Sequence, residues 1–245
     1  MFKEGDYILI VYGDKRFLKR LSKGFSLNVK DAVLKFEDVV GKEEGSKVGD
    51  FYLFRPTVEE IILYGFKRKT QIIYPKDAFY IAYTLGLDKS KRVLEFGTGS
   101  GALTTVLSLL GGEVWTFEAS ENFYKLALSN WEAFGLCKEV KHFNMDFMQA
   151  ELEEEFFDAA FVDVREPWHY LEKLHKVLKK GARCGFLLPT TNQVSTLLKN
   201  LQGLFSDVTV LEILHRYYKT NPDRLRPEDR MVAHTGYLIF CRKIT

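Results

Sequence analysis

Three glycines at alternating positions follow an acidic residue in the segment Glu95-Phe96-Gly97-Thr98-Gly99-Ser100-Gly101. A short apolar run precedes this segment and a helical pattern follows it. Glycine permits a tight turn and lets a ligand approach the backbone closely, while the N-terminus of the next helix offers N–H groups and a partial positive charge. The pattern predicts a nucleotide-binding turn with contacts from Gly97, Thr98, Gly99, Ser100 and Gly101. The alternative is a turn that serves chain geometry alone.

Two acidic residues flank this turn in the order expected of a nucleotide site. Glu118 ends the next apolar run, where a carboxylate can hold both hydroxyls of a ribose. The spacing of Gly97, Gly99 and Ala102 also fits the pattern of nicotinamide-binding proteins. Glu95 favours a different ligand, because a carboxylate so close to the turn would face an amino group and would repel a pyrophosphate.

A third acid, Asp163, ends the apolar run 158–162. In open α/β sheets the carboxyl ends of the strands line the ligand crevice, and an acid at the end of a buried strand is costly unless it is hydrogen-bonded or functional. Asp163 is therefore a candidate catalytic residue, with the N-cap of the following helix as the alternative. Trp168 can stack on a planar ligand or fill the core beneath a loop.

The elements that position these residues alternate between strand and helix patterns after residue 92. Such alternation predicts parallel strands joined by helical crossovers. Two β-like runs at 208–214 and 234–241, with no helix between them, predict an antiparallel pair at the edge of the sheet. The predicted strands are 92–96, 113–118, 140–143, 158–162 and 183–188, and the predicted helices are 121–134, 170–178 and 193–205, with a further helix that begins near Pro75 and ends near Gly86.

The first 65 residues have short β-like runs punctuated by glycines, as in a small barrel or meander. We therefore expect a small β-rich domain at 1–65 and a ligand-binding domain at 66–245. The chain has 245 residues with a formal net charge of +2, which neither requires nor excludes a nucleic-acid partner. Three cysteines without C-x-x-C spacing, no apolar span and no signal-peptide pattern predict a cytoplasmic protein without a membrane partner, a disulfide framework or a metal site.

Glu95, Gly97, Gly99 and Gly101 match the first motif, E/D-x-G-x-G-x-G, of class I S-adenosylmethionine-dependent methyltransferases, which this sequence resembles. The expected reversed strand at the end of the sheet is a second point of similarity. The resemblance implies a Rossmann-like sheet and S-adenosylmethionine as the cofactor, with Glu95 near its amino group and Glu118 on its ribose. It also implies that Asp146 lies near the adenine ring; for that residue a helix cap or turn is the alternative.

A narrower resemblance rests on the block Gln71-Ile72-Ile73-Tyr74-Pro75-Lys76-Asp77, together with Asp163 and Pro167-Trp168. These segments are similar to those of the TrmI family, the tRNA (adenine-N1)-methyltransferases that modify adenine 58 in the T-loop. The resemblance covers nearly the whole chain and implies catalytic roles for Asp163 and Tyr74, a cofactor or loop contact for Gln71, and a homotetramer. For Tyr74 the alternative is simple packing beside Pro75. Arg165 departs from the family pattern, which usually has a first proline there.

Mixed clusters of cations and aromatic residues are candidates for contact with the tRNA backbone; they lie at 15–20, 67–69 and 216–230. Charge runs are usually solvated surfaces, so each cluster alone predicts little. Three other functions stay open: methylation of a small molecule on the same fold, nicotinamide-dependent oxidoreduction, and a catalytically silent RNA-binding subunit. The intact glycine turn together with Asp163 disfavours the silent subunit.

Overall fold

A computed structural model describes residues 1–69 and 71–245. The chain divides into two units, Met1–Lys67 and Arg68–Thr245, each with its own sheet and its own apolar core. No helix of the described residues is both long enough and apolar enough to cross a membrane.

The smaller unit is an antiparallel four-stranded sheet with strand order β2-β1-β6-β5, accompanied by a separate hairpin of β3 and β4. Because β1 pairs with β6 as well as with β2, the sheet is not a sequential meander. The fully buried side chains of Ile8, Ile10 and Leu53 contribute to its core. The elements are β1 (Tyr7–Tyr12), β2 (Lys15–Arg20), β3 (Ser26–Val29), β4 (Ala32–Lys35), α1 (Phe36–Val39), β5 (Lys47–Val48), β6 (Phe51–Phe54) and α2 (Val58–Glu60), which continues as a π-helical turn (Ile61–Gly65).

The larger unit is built on a seven-stranded sheet with strand order β12-β15-β11-β10-β7-β8-β9. Five neighbouring strands are parallel, namely β9, β8, β7, β10 and β11. β15 runs antiparallel to both of its neighbours, β11 and β12. The strands of this sheet are β7 (Arg92–Phe96), β8 (Glu113–Phe117), β9 (Lys141–Phe143), β10 (Phe157–Val162), β11 (Leu178–Leu188), β12 (Phe205–Leu211) and β15 (Tyr237–Lys243). A separate two-stranded hairpin consists of β13 (Tyr218–Lys219) and β14 (Arg226–Pro227). The helices are α3 (Pro75–Thr84), α4 (Ala102–Leu110), α5 (Glu121–Phe134), α6 (Leu171–Val177) and α7 (Thr191–Leu201).

The central strands are apolar on both faces, as parallel strands covered by helices on each side must be. Gly185 in β11 leaves room for the rings of Phe161 and Phe240 on its two neighbouring strands, since a Cβ there would lie 2.9 Å from each of them. This α/β architecture, with a reversed strand near the edge and a separate β-rich unit, confirms the predicted fold class.

Two segment boundaries differ from the sequence prediction by four residues or more. β11 begins at Leu178, five residues before the predicted start at 183, and includes the polar Lys179 and Lys180. The predicted helix 193–205 ends at Leu201, and Phe205 begins β12 instead. Gly203 adopts φ +84°, which breaks the helix and directs the chain into the strand.

Two of the three cysteines meet in the core. Cys184 on β11 and Cys241 on β15 are direct cross-strand partners, and their sulfur atoms lie 3.3 Å apart as free thiols. Burial raises the pKa of the Cys184 thiol well above its ordinary value. Cys184 is therefore held as a neutral thiol beside Cys241 inside the sheet, a proximity that the sequence spacing does not reveal.

Candidate active site

The glycine turn joins β7 to α4 with three glycines in the left-handed region. The φ angle is +90° at Gly97, +57° at Gly99 and +81° at Gly101. A Cβ on Gly97 would lie 2.1 Å from the carbonyl oxygen of Asp163, and a Cβ on Gly101 would lie 2.5 Å from the indole nitrogen of Trp131. Gly97 and Gly101 are therefore required both for conformation and for space, whereas Gly99 is required for conformation alone.

The two polar residues of the turn face inward. The hydroxyl of Thr98 lies 2.6 Å from the hydroxyl of Thr116 on β8, and the carbonyl of Ser100 accepts a 3.0 Å hydrogen bond from the Asn130 amide. Thr98 is 5% exposed and Ser100 is 9% exposed, so both residues are buried in the turn. Contacts from these residues to a ligand therefore fall mainly to their backbone groups.

Glu118 connects the glycine turn to the loop after β8. One carboxylate oxygen accepts a 2.9 Å hydrogen bond from the N–H of Gly99, and the other accepts a 2.9 Å hydrogen bond from the N–H of Ser120. Each oxygen keeps a second lone pair that can accept a ligand hydroxyl. The side chain that was predicted to hold a ribose thus also fixes the shape of the turn.

Glu95 lies beneath the turn and is 1% exposed. Its carboxyl group accepts a 2.6 Å hydrogen bond from the hydroxyl of Thr104 on α4. Burial raises the pKa of Glu95 to about 8, and the negative charges of Asp163 and Glu118 add to the increase. The Glu95 carboxyl group is thus buried beneath the glycine turn and bonded to α4. A contact between Glu95 and a ligand amino group remains a prediction.

Asp163 follows β10 immediately beside the glycine turn, because β10 pairs with β7 in the sheet. Its backbone N–H donates to the carbonyl of Phe96 at 3.0 Å. Burial raises the pKa of the Asp163 carboxyl group to about 7, with a further increase from Glu118. The next helical turn, Pro167–Tyr170, has Glu166 at its N-cap, so Asp163 is not the cap of that turn.

Glu95, Glu118 and Asp163 form a three-carboxyl cluster around the glycine turn. The charges of Glu118 and Asp163 raise the pKa of Glu95, and the charge of Glu118 raises the pKa of Asp163, so the three groups lie within electrostatic reach of one another. Like charges in a poorly solvated site destabilise each other and are relieved by a bound cation. The cluster therefore suits a positively charged ligand and disfavours a pyrophosphate.

Asp146, just after β9, caps a short helical turn. One carboxylate oxygen accepts from the N–H of Met148 at 2.8 Å, and the other accepts from the hydroxyl of Tyr170 at 3.2 Å. Tyr170 belongs to the segment after Asp163, and its ring lies 5.2 Å from that of Phe96 at the end of β7. The capping alternative is thus what the structure has, and a contact to an adenine ring remains a prediction.

Tyr74 is the N-cap residue of α3, directly before Pro75 at the first helical position. Its side chain is half-buried, and α3 packs against α4, the helix that follows the glycine turn. Gln71 is exposed three residues earlier. The block 71–77 therefore includes the start of α3, the helix that packs against α4. The roles of Tyr74 and Gln71 remain predictions.

The cations and aromatic residues predicted at 216–230 lie in a long connection between β12 and β15. We call residues 213–235 the arginine-tyrosine segment; it contains the two-stranded hairpin of β13 and β14. Tyr217 is 68% exposed and Tyr218 is 50% exposed. The exposed cations of the segment are Arg216, Arg224, Arg226 and Arg230.

Lys76 and Asp77 have no individual role predicted from the sequence. Asp77 is 2% exposed and pairs with Lys76, which also contacts both ends of the arginine-tyrosine segment. A signal was present in the sequence: Asp77 lies one helical turn before Ile81 on the apolar face of α3, and a buried acid needs a partner.

Comparison with known proteins places this site among tRNA methyltransferases. A family model described as the tRNA methyltransferase complex GCD14 subunit matches residues 49–230. The crystal structure of tRNA (m1A58) methyltransferase TrmI from Aquifex aeolicus is 63% identical, has a TM-score of 0.98, and the match covers 100% of this chain and 99% of that chain.

Two further relatives are similar over most of the chain. The tRNA (adenine(58)-N(1))-methyltransferase TrmI of Thermus thermophilus is 35% identical over 193 residues, which are 77% of this chain and 75% of the relative. The crystal structure of a SAM-dependent O-methyltransferase from Thermotoga maritima is 38% identical with a TM-score of 0.92, covering 100% of this chain and 95% of that chain.

Proposed function

This chain belongs to the tRNA methyltransferase family of the GCD14 subunit, and from that premise we propose that it transfers a methyl group from S-adenosylmethionine to N1 of adenine 58 in the T-loop of tRNA. The observation that carries the proposal is the position of Asp163, which follows β10 directly beside the glycine turn and lies within electrostatic reach of Glu118. A methyl donor and a base can meet at this edge of the sheet.

The donor side of the site is supported by the charge of its residues. Class I methyltransferases use S-adenosylmethionine, which when bound supplies an electrophilic methyl group on a positively charged sulfur. The three-carboxyl cluster matches that charge. We assign Glu118 to the ribose hydroxyls, Glu95 to the amino group, Asp146 to the adenine ring and Gln71 to a cofactor or loop contact. The turn residues Gly97, Thr98, Gly99, Ser100 and Gly101 supply backbone contacts.

The acceptor side follows from the chemistry of adenine. Adenine N1 carries an in-plane lone pair, so no residue has to remove a proton before the methyl group is accepted. The ring becomes positively charged as the bond forms. Asp163 accepts a hydrogen bond from the exocyclic amine, which raises the nucleophilicity of N1 and stabilises the developing charge. Tyr74 holds the base by stacking or by an edge contact, so that alignment contributes much of the rate.

The substrate has to present a base that is normally stacked inside folded tRNA, and the base must leave that stack to reach Asp163. The arginine-tyrosine segment combines cations with exposed Tyr217 and Tyr218, a combination suited to phosphates and unstacked bases. Lys67, Arg68 and Lys69 add exposed positive charge, and so does the β2 strand of the smaller unit. Binding should weaken steeply with salt if these cations contact phosphates. A homotetramer in the cytoplasm completes the proposal, on the strength of the family resemblance.

A second candidate function is methyl transfer to an oxygen acceptor, since a relative that is 38% identical is described as an O-methyltransferase. An oxygen acceptor has to lose a proton, and burial raises the pKa of Asp163 to about 7, a value suited to a general base. Purified protein incubated with unmodified tRNA and methyl-labelled cofactor separates the two functions.

We expect label in tRNA and, by mass spectrometry of nuclease fragments, 1-methyladenine at position 58. A matched tRNA with guanine at that position should take up no label. Transfer only to small hydroxylated acceptors would favour the second candidate, and no transfer to either would favour a silent RNA-binding subunit. Titration with S-adenosylhomocysteine and with NAD tests the cofactor assignment, because only the first should bind in the micromolar range or better.

A further inference from the structure

A buried ion pair at the start of α3 makes more contacts than an ordinary salt bridge. The ammonium group of Lys76 lies 2.8 Å and 2.9 Å from the two carboxylate oxygens of Asp77. The Lys76 side chain is 10% exposed and the Asp77 side chain is 3% exposed. Two charges withdrawn from water in this way are costly, and they are retained where their geometry serves a purpose that apolar residues would not serve.

The remaining contacts of the pair reach a distant part of the chain. The same ammonium group donates to the carbonyl of Ile213 at 2.8 Å and to the hydroxyl of Thr235 at 2.8 Å, and that hydroxyl donates to Asp77 at 3.0 Å. Ile213 and Thr235 are the first and last residues of the arginine-tyrosine segment. Lys76 and Asp77 therefore join both ends of the segment to the N-terminus of α3.

A second contact lies near the two ends of the arginine-tyrosine segment. His234 lies 2.6 Å from a carboxylate oxygen of Glu212 and 2.9 Å from the carbonyl of Pro189. These groups are largely exposed, so this contact is more open to solvent than the Lys76–Asp77 pair. The buried pair is thus the firmer of the two attachments, because solvent screens it less.

The position of the pair in sequence gives it a functional meaning. Tyr74, Pro75 and Lys76 are consecutive, so the candidate base-contacting residue and the attachment of the segment share the first turn of one helix. The geometry points to Lys76 and Asp77 as positioning residues that hold the arginine-tyrosine segment beside Tyr74, where its cations and tyrosines engage the tRNA. This inference rests on the proposed function, because it assigns a substrate contact to the segment.

Two sets of variants test the inference without depending on a single fragile mutant. Lys76→Met with Asp77→Asn removes both charges together and leaves no unpaired buried charge. Thr235→Val removes one hydroxyl at nearly constant volume, and Thr235→Ser is its matched control because it keeps the hydroxyl. For each protein we would measure hydrogen exchange by mass spectrometry, the dissociation constant of S-adenosylhomocysteine, and kcat and KM for tRNA.

In the double variant, we expect the amides of residues 213–235 to exchange faster while those of β7 and α4 keep their protection. The KM for tRNA should rise about tenfold, with kcat at saturating tRNA and the S-adenosylhomocysteine dissociation constant each changing less than about threefold. Thr235→Val should show the same pattern to a smaller extent, and Thr235→Ser should restore wild-type values.

Unchanged exchange in the segment, or faster exchange with an unchanged KM for tRNA, would overturn the positioning role. Equal weakening of tRNA and S-adenosylhomocysteine binding would also overturn it, since that result indicates general loss of structure. If the wild-type protein methylates no tRNA, the proposed function fails instead. The exchange measurement still reports on the attachment in that case, so the two failures are distinguishable.

Discussion

The carbonyl oxygen of Asp163 occupies the space that a side chain on Gly97 would need, because a Cβ at Gly97 would lie 2.1 Å from it. The two residues are far apart in sequence but follow neighbouring strands, β7 and β10. The turn that is assigned to the methyl donor is therefore packed directly against the acid that is assigned to the acceptor. A substitution in one will change the position of the other.

Gly97→Ala should weaken cofactor binding and destabilise the protein. The variant has to adopt a left-handed conformation, at about 1–2 kcal/mol, and also has to displace the Asp163 backbone. Gly135→Ala is a matched control, since Gly135 has φ +66° but open space around its Cβ position. We expect a larger drop in Tm for Gly97→Ala and a rise in the S-adenosylmethionine dissociation constant for that variant alone. Equal effects of the two substitutions would contradict the steric account.

Asp163→Ala and Asp163→Asn should lower kcat by roughly 100-fold or more, because each removes the charge that stabilises the developing cation. The cofactor dissociation constant should stay nearly unchanged. Asp163→Asn keeps the shape and relieves repulsion with Glu118, so its Tm in the absence of ligand should rise above that of the wild type near pH 8. Steady-state kinetics, isothermal titration and thermal unfolding check the three outcomes. Parallel loss of turnover and cofactor affinity would mean that the residue is structural.

Glu118→Ala and Glu118→Gln should act on the cofactor rather than on the chemical step. Each variant loses the carboxylate assigned to the ribose, and Ala also loses the acceptor for the N–H groups of Gly99 and Ser120. We expect the cofactor dissociation constant to rise about tenfold or more for Gln and further for Ala. The kcat at saturating cofactor should change little for Gln. A Gln variant with wild-type affinity would refute the ribose contact.

The ligand-free protein should lose stability as the pH rises from about 6.5 to about 8. Burial raises the pKa of Asp163 from 3.8 to about 7 and that of Glu95 from 4.5 to about 8. The native state then binds more protons than the unfolded state, so the free energy of unfolding falls with rising pH until these carboxyl groups have ionised in the native state as well. His142 has the opposite effect at lower pH, because burial lowers its pKa from 6.5 to about 4.

Thermal unfolding of the wild type beside Glu95→Gln and Asp163→Asn checks this prediction. All three proteins contain His142, so its titration in the unfolded state near pH 6.5 cancels in the difference between their curves. Each variant should show a shallower fall of Tm with pH than the wild type. The exposed His234 also has a raised pKa and is present in all three proteins, so only the difference between the curves is attributed to the carboxyl groups. Curves that run parallel would contradict the assignment.

Local pattern was sufficient to predict the elements that carry the donor site. β7 and α5 have the predicted bounds, because a short, mostly apolar run ends at the glycines in one case and a 3.6-residue period ends at Gly135 in the other. The prediction failed where the periodicity was weak. Lys179 and Lys180 lie outside the predicted strand 183–188, but they extend β11 at its start, since pairing with a neighbouring strand overrides local preference.

Contacts between distant residues could not be predicted from the sequence. Glu118 was expected to contact a ribose, but its hydrogen bond from Gly99 depends on how the loops after β7 and β8 meet above the sheet. Thr235 lies 158 residues from Asp77, and no local pattern links the two. The proximity of the acids follows from strand order alone, since β7 and β10 are neighbours while two strands intervene between them along the chain.

The position of β15 has a consequence for how the protein is made. It is the last strand in chain order, yet it lies inside the sheet between β11 and β12. While a ribosome is still synthesising the chain, β12 is complete but has no neighbour, and one edge of β11 stays open to chaperones or to wrong partners. Loss of this single strand would leave β12 unpaired and one edge of β11 exposed, so the larger unit can finish folding only after its final strand has emerged.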